Sequence, residues 1–89
     1  MIANDPLAIL KYPLSTEKAV RKMEAENVLL FVVDKKATKK QIKWAVEKAF
    51  NAKVLSVNTL IDNSGIKKAY IKLSPETLAV DITTQLGLA

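Results

Sequence analysis

Lys67-Lys68-Ala69-Tyr70-Ile71-Lys72-Leu73 alternates along its length. Successive side chains of an extended strand point to opposite faces, so Ala69, Ile71 and Leu73 fall on one side and Lys68, Tyr70 and Lys72 on the other. The apolar side requires a core. The other side sets two cations around a phenol, which suits phosphates and a stacked base or sugar. An ordinary half-buried strand with a solvated face has the same pattern. Just upstream, Asp62-Asn63-Ser64-Gly65 has the composition of a tight turn, because Asn and Gly tolerate positive φ. Val54 to Ile61 precedes the turn as a second strand, with Leu55, Val57, Thr59 and Ile61 on one face and Ser56, Asn58 and Leu60 on the other. The two strands make a hairpin.

Further upstream, Val28-Leu29-Leu30-Phe31-Val32-Val33 is apolar on both faces and belongs in the middle of a sheet or under helices on both sides. Between it and the hairpin lies the clearest helix. Thr38 and Gln41 have capping-box spacing, and Ile42, Ala45, Val46, Ala49 and Phe50 recur at the helical period. Trp44 lies about 200° around from Ile42 at 100° per residue, between Lys40 and Lys48. There it covers a neighbouring lysine stem or marks an intermolecular surface.

At the amino-terminal end, Leu7 to Tyr12 reads as an edge strand stopped by Pro13. Ser15 or Thr16 then caps a helix with Glu17 in its first turn, and Ala19, Val20 and Met23 form its buried stripe. At the other end, Ser74 as cap and Pro75 at the first position open a last helix that buries Leu78, Ala79, Ile82 and Leu86 and ends at Gly87. The order strand, helix, strand, helix, strand, strand, helix, with a right-handed crossover from Val28 to Ile61, predicts a small α+β fold. Its sheet is four-stranded and mostly antiparallel, with the last strand between its two partners and helices packed on it.

Eighty-nine residues make one domain, residues 1–89. The net charge is +5, and 13 of the 14 cations are lysine. Such a balance in so small a domain favours a polyanionic partner. Lysine is a good point charge for phosphate and a poor bidentate reader of bases, so contact is with backbone and shape. The chain has no cysteine, so disulfides and thiolate chemistry are excluded. Met-Ile-Ala-Asn-Asp-Pro shows no secretion signal, and no apolar run is long enough to cross a bilayer. We expect a cytoplasmic protein.

Nothing in the chain points to catalysis. Histidine is absent, Gly65 and Gly87 build no phosphate cradle, and Asp34, Glu47, Asp62 and Asp81 are scattered without metal-ligand spacing. We expect no enzyme activity, no cofactor and no small-molecule substrate. A basic binding module remains. Lysines gather at Lys35, Lys36, Lys39, Lys40 and Lys43, and again at Lys67, Lys68 and Lys72. Tyr70, Asn58 and Tyr12 add stacking and amide groups suited to RNA. The other reading of the same residues is a protein-interaction adaptor that uses Trp44 and the last helix and touches no nucleic acid.

Four stretches carry a resemblance. Lys67 to Ser74, with Ile82 eight positions on, resembles the signature of the large-subunit ribosomal protein family L twenty-three. Pro13-Leu14-Ser15-Thr16-Glu17-Lys18-Ala19 is similar to that family's amino-terminal motif, and Thr38 to Lys43 and Val54 to Thr59 match in the right order. The similarity runs from about Leu10 to Leu86. It implies a protein that binds large-subunit ribosomal RNA beside the exit of the nascent-chain tunnel. There it would contact neighbouring ribosomal proteins and serve as a platform for the signal recognition particle, the protein-conducting channel and, in bacteria, a ribosome-bound chaperone. No direct membrane insertion is implied. Glu17 matches a docking contact of the bacterial members, whereas Asn51 stands where those members carry an acidic residue. Bacterial members have a long hairpin loop and eukaryotic ones a long basic amino-terminal extension. The short Asp62–Gly65 turn and the lack of such an extension here look archaeal. On this reading Lys11, Lys18, Lys36, Lys39, Lys40, Lys67, Lys68 and Lys72 neutralise RNA phosphates, Tyr70 and Asn58 meet sugar and base, and Glu17 faces the cytosol.

Overall fold

The computed structural model describes residues 6–14 and 16–85. In chain order the elements are α1 (Pro6–Ile9), β1 (Leu10–Pro13), α2 (Glu17–Glu26), β2 (Val28–Val33), α3 (Lys39–Phe50), β3 (Val54–Ile61), β4 (Lys67–Leu73) and α4 (Ala79–Gln85). The four strands form one sheet in the order β1-β2-β4-β3, and every pairing is antiparallel. The hairpin strand β4 therefore lies between β2 and β3, as its alternation and the two flanking apolar strands require. The expected α+β architecture and element order are present, with one short helix added at the start.

All six residues of β2 are buried. Leu29, Phe31 and Val33 face one way and join Ile42, Ala45 and Val46 of α3, Ile9 of α1, Ala69, Ile71 and Leu73 of β4, and Ala79 and Ile82 of α4 in one apolar cluster. Val28, Leu30 and Val32 face the other way, under α2. There Ala19 is buried, and Lys22 Nζ stands 5.6 Å from the centroid of the Tyr70 ring, Tyr70 being the cross-strand neighbour of Leu30. A strand apolar on both faces is what a sheet between two helical layers demands.

Local chemistry starts and stops the helices. Thr16 Oγ1 accepts from the Ala19 N–H at 3.2 Å and begins α2. At α3, Thr38 Oγ1 accepts from the Gln41 N–H while Gln41 Oε1 accepts from the Thr38 N–H, the reciprocal pair its spacing predicts. Both helices end on an asparagine in the left-handed region, Asn27 (φ 56°) and Asn51 (φ 52°), a conformation asparagine reaches more cheaply than most side chains.

The structure corrects five expectations. Leu7 to Ile9 belongs to α1 rather than to a strand. An apolar run this short does not distinguish the two, and packing of Ile9 against α3 decides it. Ala49 is exposed at the margin of the α3 stripe, while the stripe ends in Phe50, whose ring lies 5.9 Å from that of Phe31. Leu55 does not share a face with Val57. A bulge between Val54 and Ser56 sets two residues of β3 against one of β4, so Val54 and Val57 are both buried and Leu55 is 54% exposed. Ile61 is exposed because α3 crosses from α1 and β1 to the start of β3 and leaves the hairpin end of β3 uncovered.

The last correction concerns α4, which starts at Ala79 and not at Pro75. Ser74 to Leu78 is a turn, in which Ser74 Oγ accepts from the Glu76 N–H and the Ser74 carbonyl accepts from the Thr77 N–H, and Leu78 is exposed. The cap of α4 comes from far away: Asn27 Oδ1 accepts from the Ala79 N–H at 2.7 Å. Ser15, Leu86 and Gly87 lie outside the described residues.

Candidate nucleic-acid interface

On the sheet face away from α3, three cross-strand rows follow from the register. Val28, Lys72 and Ser56 form one, Leu30, Tyr70 and Asn58 the next, and Val32, Lys68 and Leu60 the third. Since α2 covers the β2 end of these rows, their β4 and β3 ends stay open. Lys72, Ser56, Asn58 and Leu60 are exposed, and Lys68 and Tyr70 are half-buried. Two ammonium groups, a phenol and a carboxamide thus share one face of the sheet. The Tyr70 ring is held by Lys22, a cation–π contact worth about 0.5–1 kcal/mol near a surface. Lys22 was not among the site residues expected from sequence. Its position three residues after the buried Ala19 was the available signal, because that spacing keeps a side chain on the sheet-facing side of the helix.

The hairpin turn supports Lys68. Asp62 Oδ1 accepts from the Ser64 hydroxyl at 2.7 Å, the Ser64 N–H at 2.9 Å and the Ile66 N–H at 3.1 Å, and Asp62 Oδ2 lies 3.6 Å from Lys68 Nζ. Gly65 takes φ 83°, the one residue of the turn that needs the left-handed region. These partners, the Ser64 hydroxyl first, hold the Asp62 carboxyl below its usual pKa. A depressed folded pKa means that the contribution is complete above the ordinary carboxylate value and is lost as pH falls through the folded one. Acidification should therefore loosen the turn. Protection of the Ser64 and Ile66 amides, their exchange measured against the intrinsic rate at each pH, should fall below the usual carboxylate range in the native chain, and should be low at every pH in Asp62→Ala. Equal acid sensitivity in both chains would remove Asp62 from the account.

Lys67 stands apart from the other two lysines of β4. It has the parity of Ala69, so it lies on the α3 side of the sheet, where its Nζ donates to the Ala37 carbonyl at 2.6 Å. It stands with Lys35, Lys36, Lys39 and Lys40 at the approach to α3, not with Lys68 and Lys72. In that approach the Lys36 N–H donates to Asp34 Oδ1 at 2.8 Å, and Lys39 and Lys40 are exposed in the first turn of the helix. Lys11 lies on the edge strand beside Tyr12, and Lys18 on the outer side of α2 next to Glu17. Glu17 is itself engaged, its Oε1 accepting from the Arg21 guanidinium, and both side chains are largely exposed. Asn58, Lys68, Tyr70 and Lys72 are thus brought together, while the remaining cations are spread over other sides. Trp44 is 36% exposed on the outer face of α3. Among the described residues no His, Cys, Asp and Glu cluster could hold a metal ion, and no helix is long and apolar enough to cross a membrane.

Compared with known protein families, residues 8–65 match Ribosomal protein L23, well over half of the chain. The chain belongs to this family. L23 proteins are structural constituents of the large ribosomal subunit, part of a ribonucleoprotein that carries out translation. The match takes in β1, α2, β2, α3, β3 and the hairpin turn. In this L23 protein it therefore includes Asn58 and Glu17, and the cationic strand β4 continues beyond it.

Proposed function

We propose that this L23 protein binds large-subunit ribosomal RNA through the open half of its sheet and sits beside the exit of the polypeptide tunnel. Family membership supports the ribosomal setting. The observation that carries the RNA contact is the surface of Lys68, Tyr70, Lys72 and Asn58, where cations for phosphate adjoin a ring and an amide for sugar and base. Lys11, Lys18, Lys36, Lys39, Lys40 and Lys67 extend the cationic surface around the molecule, as a partner that wraps several sides would require.

Glu17, exposed at the start of α2, is offered as the contact for the signal recognition particle and the protein-conducting channel, with neighbouring ribosomal proteins beside it. The test is a salt wash of native particles. The protein should sediment with large subunits at low salt and leave them only near about 1 M salt, and crosslinks from the β4 face should fall on ribosomal RNA. A chain recovered free of particles at low salt would overturn the proposal.

A further inference from the structure

At the margin of that surface, the end of β2, the hairpin turn and the edge strand enclose a cavity of about 230 Å³ lined by Lys11, Tyr12, Val32, Lys35, Ile66 and Lys67, among others. Three cations meet here with no carboxylate in the wall. Lys11 comes from the irregular step of β1 between Leu10 and Tyr12. Lys35 follows β2, and its Nζ would lie 3.8 Å from a Cβ at Gly65, which places the ammonium over the turn. Lys67 is fixed by its bond to the Ala37 carbonyl and keeps further N–H groups to donate. Tyr12 stands at the edge of the sheet with half its surface exposed, although it has Val32 as its strand partner. Among the described residues the ion pairs are Arg21 with Glu17, Lys22 with Glu26 and Lys68 with Asp62, so none of these three lysines is neutralised.

Uncompensated ammonium groups around a small cavity favour a bound anion. An exposed ring beside apolar walls favours a planar aromatic group. The two requirements are met together by one chemical class. We infer that this corner is a pocket for a single unpaired RNA nucleotide, its base against Tyr12, Val32 and Ile66 and its phosphate within reach of Lys11, Lys35 and Lys67. The cavity is too small for a duplex segment, and Tyr12 and Val32 continue the cross-strand row of Lys68 to the edge strand, so it adjoins the Lys68–Lys72 surface at its margin. The inference rests on the RNA-binding reading above and adds to it: the chain takes hold of one extruded nucleotide as well as a helical backbone.

The experiment uses the full chain and purified large-subunit ribosomal RNA from the same organism, with affinity measured across a salt series and nucleotide reactivity mapped by chemical probing. Tyr12→Phe should bind as the native chain does. Tyr12→Ala should bind about tenfold more weakly with an unchanged salt slope, since stacking and not charge is lost, and one unpaired nucleotide should regain reactivity. Lys35→Ala should lower the salt slope by roughly one contact and expose the same nucleotide. Native affinity and an unchanged reactivity map for both Tyr12→Ala and Lys35→Ala would overturn the pocket while leaving the sheet surface standing. Crosslinks from position 12 to protein alone would also overturn it. Failure of the native chain to bind the RNA at all would remove both readings.

Discussion

Replacing Lys68 and Lys72 together with alanine should weaken binding to large-subunit ribosomal RNA by roughly 30-fold, at about 1 kcal/mol for each lysine–phosphate contact. The same change should reduce the slope of log affinity against log salt by about 1.5, since each released phosphate contact contributes about 0.7–0.9. The fold should persist. Both side chains point away from the face that buries Ala69, Ile71 and Leu73, and the one ion pair lost among the described residues, with Asp62, lies near the surface, where such pairs contribute little. Lys48→Ala, on the outer side of α3, is the matched control and should change the slope far less. A filter-binding or anisotropy series over salt reads both quantities. If the double variant kept native affinity and native slope, this face would not be the RNA contact.

Asn27→Ala should cost about 3 kcal/mol of stability, the largest effect expected of any exposed or half-buried residue. The side chain serves two helices and a strand. Its Nδ2 donates to the carbonyls of Leu73 and Ser74, each at 3.2 Å, and of Thr77 at 2.9 Å, while its Oδ1 accepts from the Ala79 N–H. An amide has two hydrogens for those three carbonyls, so one bond is shared and the group counts as about three full bonds. Its backbone also holds φ 56° at the end of α2, which alanine reaches at a cost of about 1 kcal/mol. At roughly 5 °C per kcal/mol in a domain of this size, the melting temperature should fall by about 15 °C. Asn27→Gly separates the two terms: it relieves the backbone but not the lost amide, and should recover about 1 kcal/mol. A loss in Asn27→Ala below about 1 kcal/mol would show that the network is dispensable.

The parts of the fold visible in the sequence are those with local causes. The uninterrupted apolar run of β2, the capping box of α3 and the alternation of β4 each encode their own element, and the hairpin sets the strand order. What stayed hidden has distant causes. The β3 bulge that turns Leu55 outward leaves no trace in a run of apolar and polar residues that reads equally well in either register. The cap of α4 arrives from Asn27, three strands and a helix earlier in the chain, so Ser74 and Pro75 look like a helix start that is not used. Lys67 is a different case: its parity with Ala69 was legible, but its bond to the Ala37 carbonyl depends on how the approach to α3 packs beside the sheet. In the site, the charge pattern revealed which residues are cationic. Only the register showed that Lys68, Tyr70, Lys72 and Asn58 share a face, and only the packing of the hairpin turn against the edge strand brings Lys11, Lys35 and Tyr12 to one cavity.

The placement of β4 between β2 and β3 has a consequence for how the chain is made. Until residue 73 has been synthesised, the fully apolar β2 has only the four-residue β1 beside it. At 5–20 residues per second, the 40 residues from Val33 to Leu73 take roughly 2–8 s to appear. During that interval Val28 to Val33 is an uncharged, aggregation-prone strand with one edge unpaired on a growing polypeptide. Newborn copies therefore need prompt shelter, and release truncated before the hairpin returns should yield insoluble fragments rather than a smaller folded unit.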